Sequence, residues 1–74
     1  MPKLPVVSGK QIIKALGKIG YLVDHQTGSH VILRQKDPPH RRVTVPYHKE
    51  IAKGTLKAIL NEVGLTIEEI LELF

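Results

Sequence analysis

The sequence has no cysteine or tryptophan, and only three of its 74 residues are aromatic. Without cysteine the chain can form neither disulfides nor thiolate metal sites, which fits a reducing compartment. Its apolar runs are too short to cross a bilayer, and the N-terminal segment MPKLPVVSGK is too rich in proline for a signal peptide. We therefore expect a soluble, cytoplasmic protein that does not contact a membrane.

Two further properties limit what the chain can be. A chain of 74 residues forms one domain, here residues 1–74, and buries only about 60% of its unfolded surface, so a partner or a homodimer would help it. No pair of its histidines has the i, i+4 spacing of a helical zinc site. These histidines are His25, His30, His40 and His48. We therefore expect no metal centre and no cofactor.

Charge is unevenly distributed along the chain. Residues 1–57 carry all 11 Lys and Arg and three acidic residues, a net charge of +8. Residues 58–74 carry four Glu and no basic residue, a net charge of −4. A basic body suggests a polyanion as partner, and nucleic acid is the commonest one. A basic protein that is merely soluble is the alternative, and charge alone does not separate the two.

The apolar spacing predicts the element order α-β-β-β-α-α. Ser8 and Gln11 form a capping box before a helix that ends near Gly20. The segments YLVDHQ, SHVILRQ and RRVTVPY are rich in β-branched residues and predict a three-stranded antiparallel meander. A helix closed by Gly64 follows, and Thr66 opens a short last one. This pattern predicts an α+β fold with helices on one face of the sheet and the other face open.

Loop positions predict which residues lie opposite each other. A first loop at residues 26–28 would place Asp24 opposite His30, and a second at residues 36–40 would place Arg34 opposite Arg42. The buried face would then hold five aliphatic residues. They are Val23, Val31, Leu33, Val43 and Val45.

His30 is the candidate catalytic residue on the predicted open face. An imidazole exchanges protons near neutral pH, and RNA offers a suitable reaction, in which the 2′-hydroxyl attacks the adjacent phosphorus. Asp24 would hold the ring, Gly28 would let a backbone approach, and Ser29 would donate a hydrogen bond to a phosphate oxygen. On chemistry alone, however, a single histidine in a strand is more often structural.

Four basic residues are candidate phosphate ligands. Arg34 and Arg42 should repel unless an anion bridges them, although both side chains could instead extend into water. Lys53 and Lys57 lie near the N-terminus of the second long helix, where the helix dipole also favours a phosphate. No aromatic residue is expected on the open face, so base stacking should be weak.

The order and spacing of several motifs resemble the HicA family of toxins, which are mRNA interferases of toxin–antitoxin systems. These motifs are SGKQIIKALGKIGY, GSH at residues 28–30, VTVPYH at residues 43–48 and KGTLKAILNEVGLTIEEILELF. The resemblance implies a fold like the double-stranded RNA-binding domain. It also implies a type II system in which a metal-independent endoribonuclease depends on His30 and is neutralised by a HicB-type antitoxin.

Two other functions remain open from the sequence. Only Lys49, Lys53 and Lys57 precede or begin the long C-terminal helix, without the dense lysine cluster of ordinary duplex-binding domains, so single-stranded mRNA is the expected substrate. A non-catalytic RNA-binding module with the same fold is the first alternative. A protein–protein adaptor that meets an acidic partner is the second, and it predicts RNA affinity too weak to show the steep salt dependence of phosphate contacts.

Overall fold

A computed structural model of the protein describes residues 6–74 and confirms the predicted α+β element order. The segment 1–5, where the predicted domain begins, lies outside the described residues. The elements are α1 (Gly9–Gly17), β1 (Tyr21–Thr27), β2 (His30–Gln35), β3 (Arg42–Pro46), α2 (Lys53–Val63) and α3 (Ile67–Glu72). None of the helices in the described part of the chain is long and apolar enough to cross a membrane.

Side-chain caps begin two of the three helices. At α1 the Ser8 hydroxyl accepts the Gln11 amide at 3.1 Å, and the Ser8 amide donates to the Gln11 side chain at 2.9 Å. Thr66 and Glu69 form the same capping box at α3. Ala52 begins α2 with no side-chain hydrogen bond. Helix α1 ends at Gly17, three residues before Gly20, because the chain must turn back to enter β1.

The three strands form one antiparallel sheet in the order β1-β2-β3, with β2 in the centre. One face, the inner face, joins the core formed with the helices. Each fully buried aliphatic side chain there stabilises the fold by about 1.5–3 kcal/mol. The buried core residues are Val7, Ile12, Ala15, Leu16, Tyr21, Val31, Leu33, Val43, Val45, Ile51, Leu56, Ile59, Leu60 and Ile70.

The predicted pairing of β2 with β3 is confirmed, since Arg34 lies opposite Arg42 and Val31 lies opposite Val45. The predicted pairing of β1 with β2 is wrong. The first loop is the two-residue Gly28-Ser29 turn, so Thr27 lies opposite His30, and a β-bulge interrupts the register at Asp24. Gly28 has a φ of +57°, the left-handed value that the first position of a two-residue II′ hairpin turn requires.

The prediction that Val23 is buried is also wrong. Val23 lies opposite Leu33, but its side chain is 56% exposed. Of the residues of β1, only Tyr21 is buried, because the core lies over β2 and β3 and does not extend across Val23. The outer edge of the sheet therefore has apolar side chains in solvent, including Leu22 at 58% exposure.

Candidate functional site

His30 is the first residue of the central strand and lies at the end of the sheet where β1 turns into β2. Thr27 is opposite it on β1 and Pro46 is opposite it on β3. Its side chain is exposed and points to the outer face, away from the core. The imidazole makes no hydrogen bond or ion pair with residues 6–74. Both ring nitrogens are therefore accessible to a ligand from solvent.

The Gly28-Ser29 turn that carries His30 is held by two hydrogen bonds. The Gln26 side-chain amide donates to the Gly28 carbonyl at 2.9 Å. The Ser29 carbonyl accepts the backbone amide of Tyr47 at 2.6 Å, which ties the turn to the chain just beyond β3. Both bonds use backbone carbonyls of the turn, so neither involves the Ser29 hydroxyl. Ser29 is exposed and directly precedes His30.

Asp24 does not face His30, contrary to the prediction from the sequence. The bulge and the two-residue turn move it along β1, and its Oδ2 accepts a hydrogen bond from His25 Nδ1 at 2.8 Å. This hydrogen bond lowers the pKa of the Asp24 carboxyl, and the positive charges of Arg42 and Arg34 lower it further. Asp24 therefore stays ionised and lies towards the end of the sheet that carries the two arginines.

Arg34 and Arg42 lie opposite each other at the far end of the same outer face. Arg34 is four positions after His30 on β2, a distance of about 13 Å at roughly 3.3 Å per residue. Both arginines are exposed. The structure therefore brings His30 and this pair onto one face, but it does not bring them to one point.

Lys53 and Lys57 are exposed on α2, whose buried residues join the core on the inner side of the sheet. They are thus in the layer opposite the outer face. The N-terminus of α2 has no acidic residue in its first turn and no side-chain cap, so its backbone amides and the two lysines form a separate positive region.

The Lys and Arg side chains of residues 6–74 form no ion pairs within the protein. Within residues 6–74 the only contact of this kind is the one between Asp24 and His25, which is an ion pair only if His25 is protonated, so no described Lys or Arg lies within 4.0 Å of a carboxylate. Because Arg34 and Arg42 have no carboxylate partner among these residues, their positive charge on the outer face is available to an anion. The same residues contain no group of three His, Cys, Asp or Glu side chains that could hold a metal ion.

Tyr47 is a candidate contact residue that the sequence did not indicate. Its side chain is 50% exposed, and its amide is bonded to Ser29, the neighbour of His30. A cavity at this place is lined by Ser8, Lys10, Tyr47, His48 and Lys49. In the sequence, only its position directly after Pro46, which pairs with His30, could have indicated Tyr47.

A family model matches most of the chain, and no curated protein matches it. The matching family is described as the HicA toxin of bacterial toxin–antitoxin systems, and it matches residues 9–65 of the 74. This range begins at the first residue of α1, contains the whole sheet with His30, and ends just after α2. The chain therefore belongs to the HicA toxin family.

Proposed function

We propose that this toxin is a metal-independent endoribonuclease of a type II system that cleaves single-stranded mRNA in the cytoplasm, with His30 as general acid and base. The observation that carries the proposal is the placement of His30. It is the one histidine on the central strand, its ring is exposed on the outer face, and it has no hydrogen-bond partner among residues 6–74. Family membership supplies the toxin context.

The proposed reaction is a transfer of the phosphoryl group within the RNA. The imidazole of His30 accepts the proton of a 2′-hydroxyl, and the 2′-oxygen forms a bond to the adjacent phosphorus. The bond from phosphorus to the 5′-oxygen of the next nucleotide breaks, and that oxygen takes a proton from the imidazolium or from water. The products are a 2′,3′-cyclic phosphate and a free 5′-hydroxyl, and a general acid–base group of this kind contributes about 10²–10⁴-fold.

The turn and the basic residues supply binding. Gly28 leaves the turn without a side chain at its first position, and the Ser29 hydroxyl can donate to an oxygen of the phosphate near His30. Arg34 and Arg42 lie along the same outer face, and Lys53 with Lys57 provide a second positive region for the RNA backbone. Phosphate contacts of this kind give affinity that falls steeply with salt.

A HicB-type antitoxin is the proposed protein partner, and the outer face is its proposed binding site. Covering that face would bury the exposed ring of His30 and exclude RNA. Ile32, which is half-buried between polar neighbours on the outer face, gives this surface an apolar centre for a protein contact.

Replacement of His30 tests the catalytic role. We expect His30→Ala to reduce the rate of RNA cleavage by about 10²-fold or more, with RNA affinity retained. His40→Asn is the matched control, because His40 lies in the β2–β3 loop with a φ of +57° that Asn tolerates. Its cleavage rate should equal that of the native protein.

Two outcomes would contradict the proposal. Cleavage at the native rate by purified His30→Ala would remove the histidine from the reaction. Loss of native cleavage in EDTA would show that a metal ion is required. If the native protein binds RNA with a steep salt dependence but never cuts it, the non-catalytic RNA-binding module is the correct function.

A further inference from the structure

The outer face of the sheet is organised in three rows that cross all three strands. The row at the turn contains Thr27, His30 and Pro46; the middle row contains His25, Ile32 and Thr44; and the far row contains Leu22, Arg34 and Arg42. Consecutive rows are two residues apart on β2, or about 6.6 Å. Neither the turn row nor the middle row contains Lys or Arg, so a row without Lys or Arg lies between His30 and the two arginines of the far row.

The arginine pair of the far row is an arrangement that a bound anion would stabilise. Directly opposed residues of an antiparallel pair have Cβ atoms about 4.5–5.5 Å apart, and like charges there destabilise the sheet. No carboxylate of residues 6–74 lies within 4.0 Å of either guanidinium. The acidic side chain whose pKa responds to both, Asp24, is already hydrogen-bonded to His25. A phosphate between the two guanidinium groups would accept hydrogen bonds from both strands.

We propose that Arg34 and Arg42 together bind one RNA phosphate that is distinct from the scissile phosphate at His30, so that the RNA strand runs along β2. The proposal rests on the proposed function of His30. The separation of about 13 Å corresponds to about four nucleotides of a stacked strand at roughly 3.4 Å each, and to fewer of an extended one. RNA is favoured over an acidic protein segment because the pair continues the same exposed face that carries His30.

Single-phosphate neutralisation tests the position of this site. The probe is an RNA oligonucleotide with one mapped cleavage site, in which each phosphate up to five nucleotides from that site is replaced in turn by an uncharged methylphosphonate. For the native protein we expect one position, at most about four nucleotides away, where replacement lowers kcat/KM about tenfold, as loss of a charged hydrogen-bond pair would. The variant Arg34→Gln/Arg42→Gln should lose this sensitivity at that position alone.

A charge-matched control separates the pair from general electrostatics. Lys14→Gln/Lys18→Gln removes the same charge from α1 and from the residue that follows it, and both lysines are exposed. It should keep the native profile of sensitive phosphates. The arginine variant should also lower the slope of log affinity against log salt by about one, the value for one lost phosphate contact.

A dinucleotide substrate should be insensitive to the arginine substitutions. A dinucleotide has only its scissile phosphate and does not reach the far row, so the arginine variant should cleave it at the native rate. Slower cleavage of the dinucleotide would place the pair at the scissile phosphate and overturn the proposal. An unchanged phosphate profile with unchanged RNA affinity would also overturn it and assign the pair to an acidic protein partner. Neither result depends on His30→Ala, which tests the proposed function separately.

Discussion

Gly9 and Pro46 are in direct backbone contact, because α1 begins against the end of β3. A β-carbon on Gly9 would collide with the Pro46 carbonyl oxygen and would lie 3.0 Å from the Tyr47 α-carbon. The Gly9 amide also donates to the His48 carbonyl at 2.9 Å. Since Pro46 lies opposite His30, the first residue of α1 fixes the backbone beside the proposed catalytic side chain.

Replacement of Gly9 should therefore damage both stability and the site. We expect Gly9→Ala to lower the free energy of unfolding by about 1–3 kcal/mol, as overpacking against backbone atoms does. Displacement of Pro46 should also lower the rate of RNA cleavage. Urea unfolding and a cleavage assay on the same preparation measure the two effects.

Gly17→Ala is the control for Gly9. Gly17 is in the same helix, and a β-carbon there meets no atom within 4 Å. The free energy of unfolding of this variant should rise by about 0.5–1 kcal/mol, because alanine favours the helical conformation more than glycine does. Equal free energies of unfolding for the two variants would show that a β-carbon at residue 9 does not destabilise the contact with Pro46.

Tyr47 should contribute to RNA affinity through stacking on a base. The prediction is that Tyr47→Ala loses about 1–3 kcal/mol of binding free energy per stacked base, whereas Tyr47→Phe keeps it. Affinities are measured for a short RNA in the His30→Ala background, so that the ligand stays intact. Native affinity in Tyr47→Ala would mean that this exposed ring does not touch RNA.

The hydrogen bond between Asp24 and His25 should be visible in acid titration. Because this bond lowers the pKa of Asp24 in the folded protein, the ionised carboxyl stabilises the fold above its unfolded pKa of about 3.9. That contribution is lost as pH falls below this value through the lower folded pKa. NMR titration should give a midpoint for Asp24 below 3.9, and Asp24→Asn should unfold with a weaker dependence on pH between 4 and 2. A midpoint at or above the unfolded value would contradict the bond.

The uncapped start of α2 offers a stabilising substitution. Ser8 and Thr66 cap the other two helices, but Ala52 has no side-chain acceptor. We expect Ala52→Ser to raise the free energy of unfolding by about 0.5–1 kcal/mol and Ser8→Ala to lower it by a similar amount. Urea unfolding of the two variants measures both changes, and a drop in stability for Ala52→Ser would show that the backbone there does not favour a cap.

Helix caps, helix–strand order and the β2–β3 pairing could be predicted from the sequence, because each depends on local patterns. The alternation of Val31 and Leu33 with Val43 and Val45 fixes one register that buries all four. The β1–β2 pairing could not be predicted in the same way. β1 contributes only Tyr21 to the core, so its apolar residues do not define a buried face. No residue near Asp24 indicates a bulge.

Parts of the site were predictable for the same physical reason. His30 and Arg34 share a face because the two are an even number of residues apart on one strand, whatever β1 does. The partner of His30 on β1 depends on the turn, so Thr27 could not be identified in place of Asp24. Tyr47 follows the last residue of β3, and its position depends on a hydrogen bond to Ser29 that no local pattern encodes.

The central position of β2 has a consequence for how the toxin is switched. The backbone at His30 is joined to a neighbouring strand on both sides, so the residue cannot move aside unless the whole sheet separates. Under the proposed role of His30, a toxin molecule released from its antitoxin would have the imidazole already in place and would need no refolding before it cleaves RNA. The antitoxin would then inhibit by covering the outer face, and its dissociation rate would set the speed of activation.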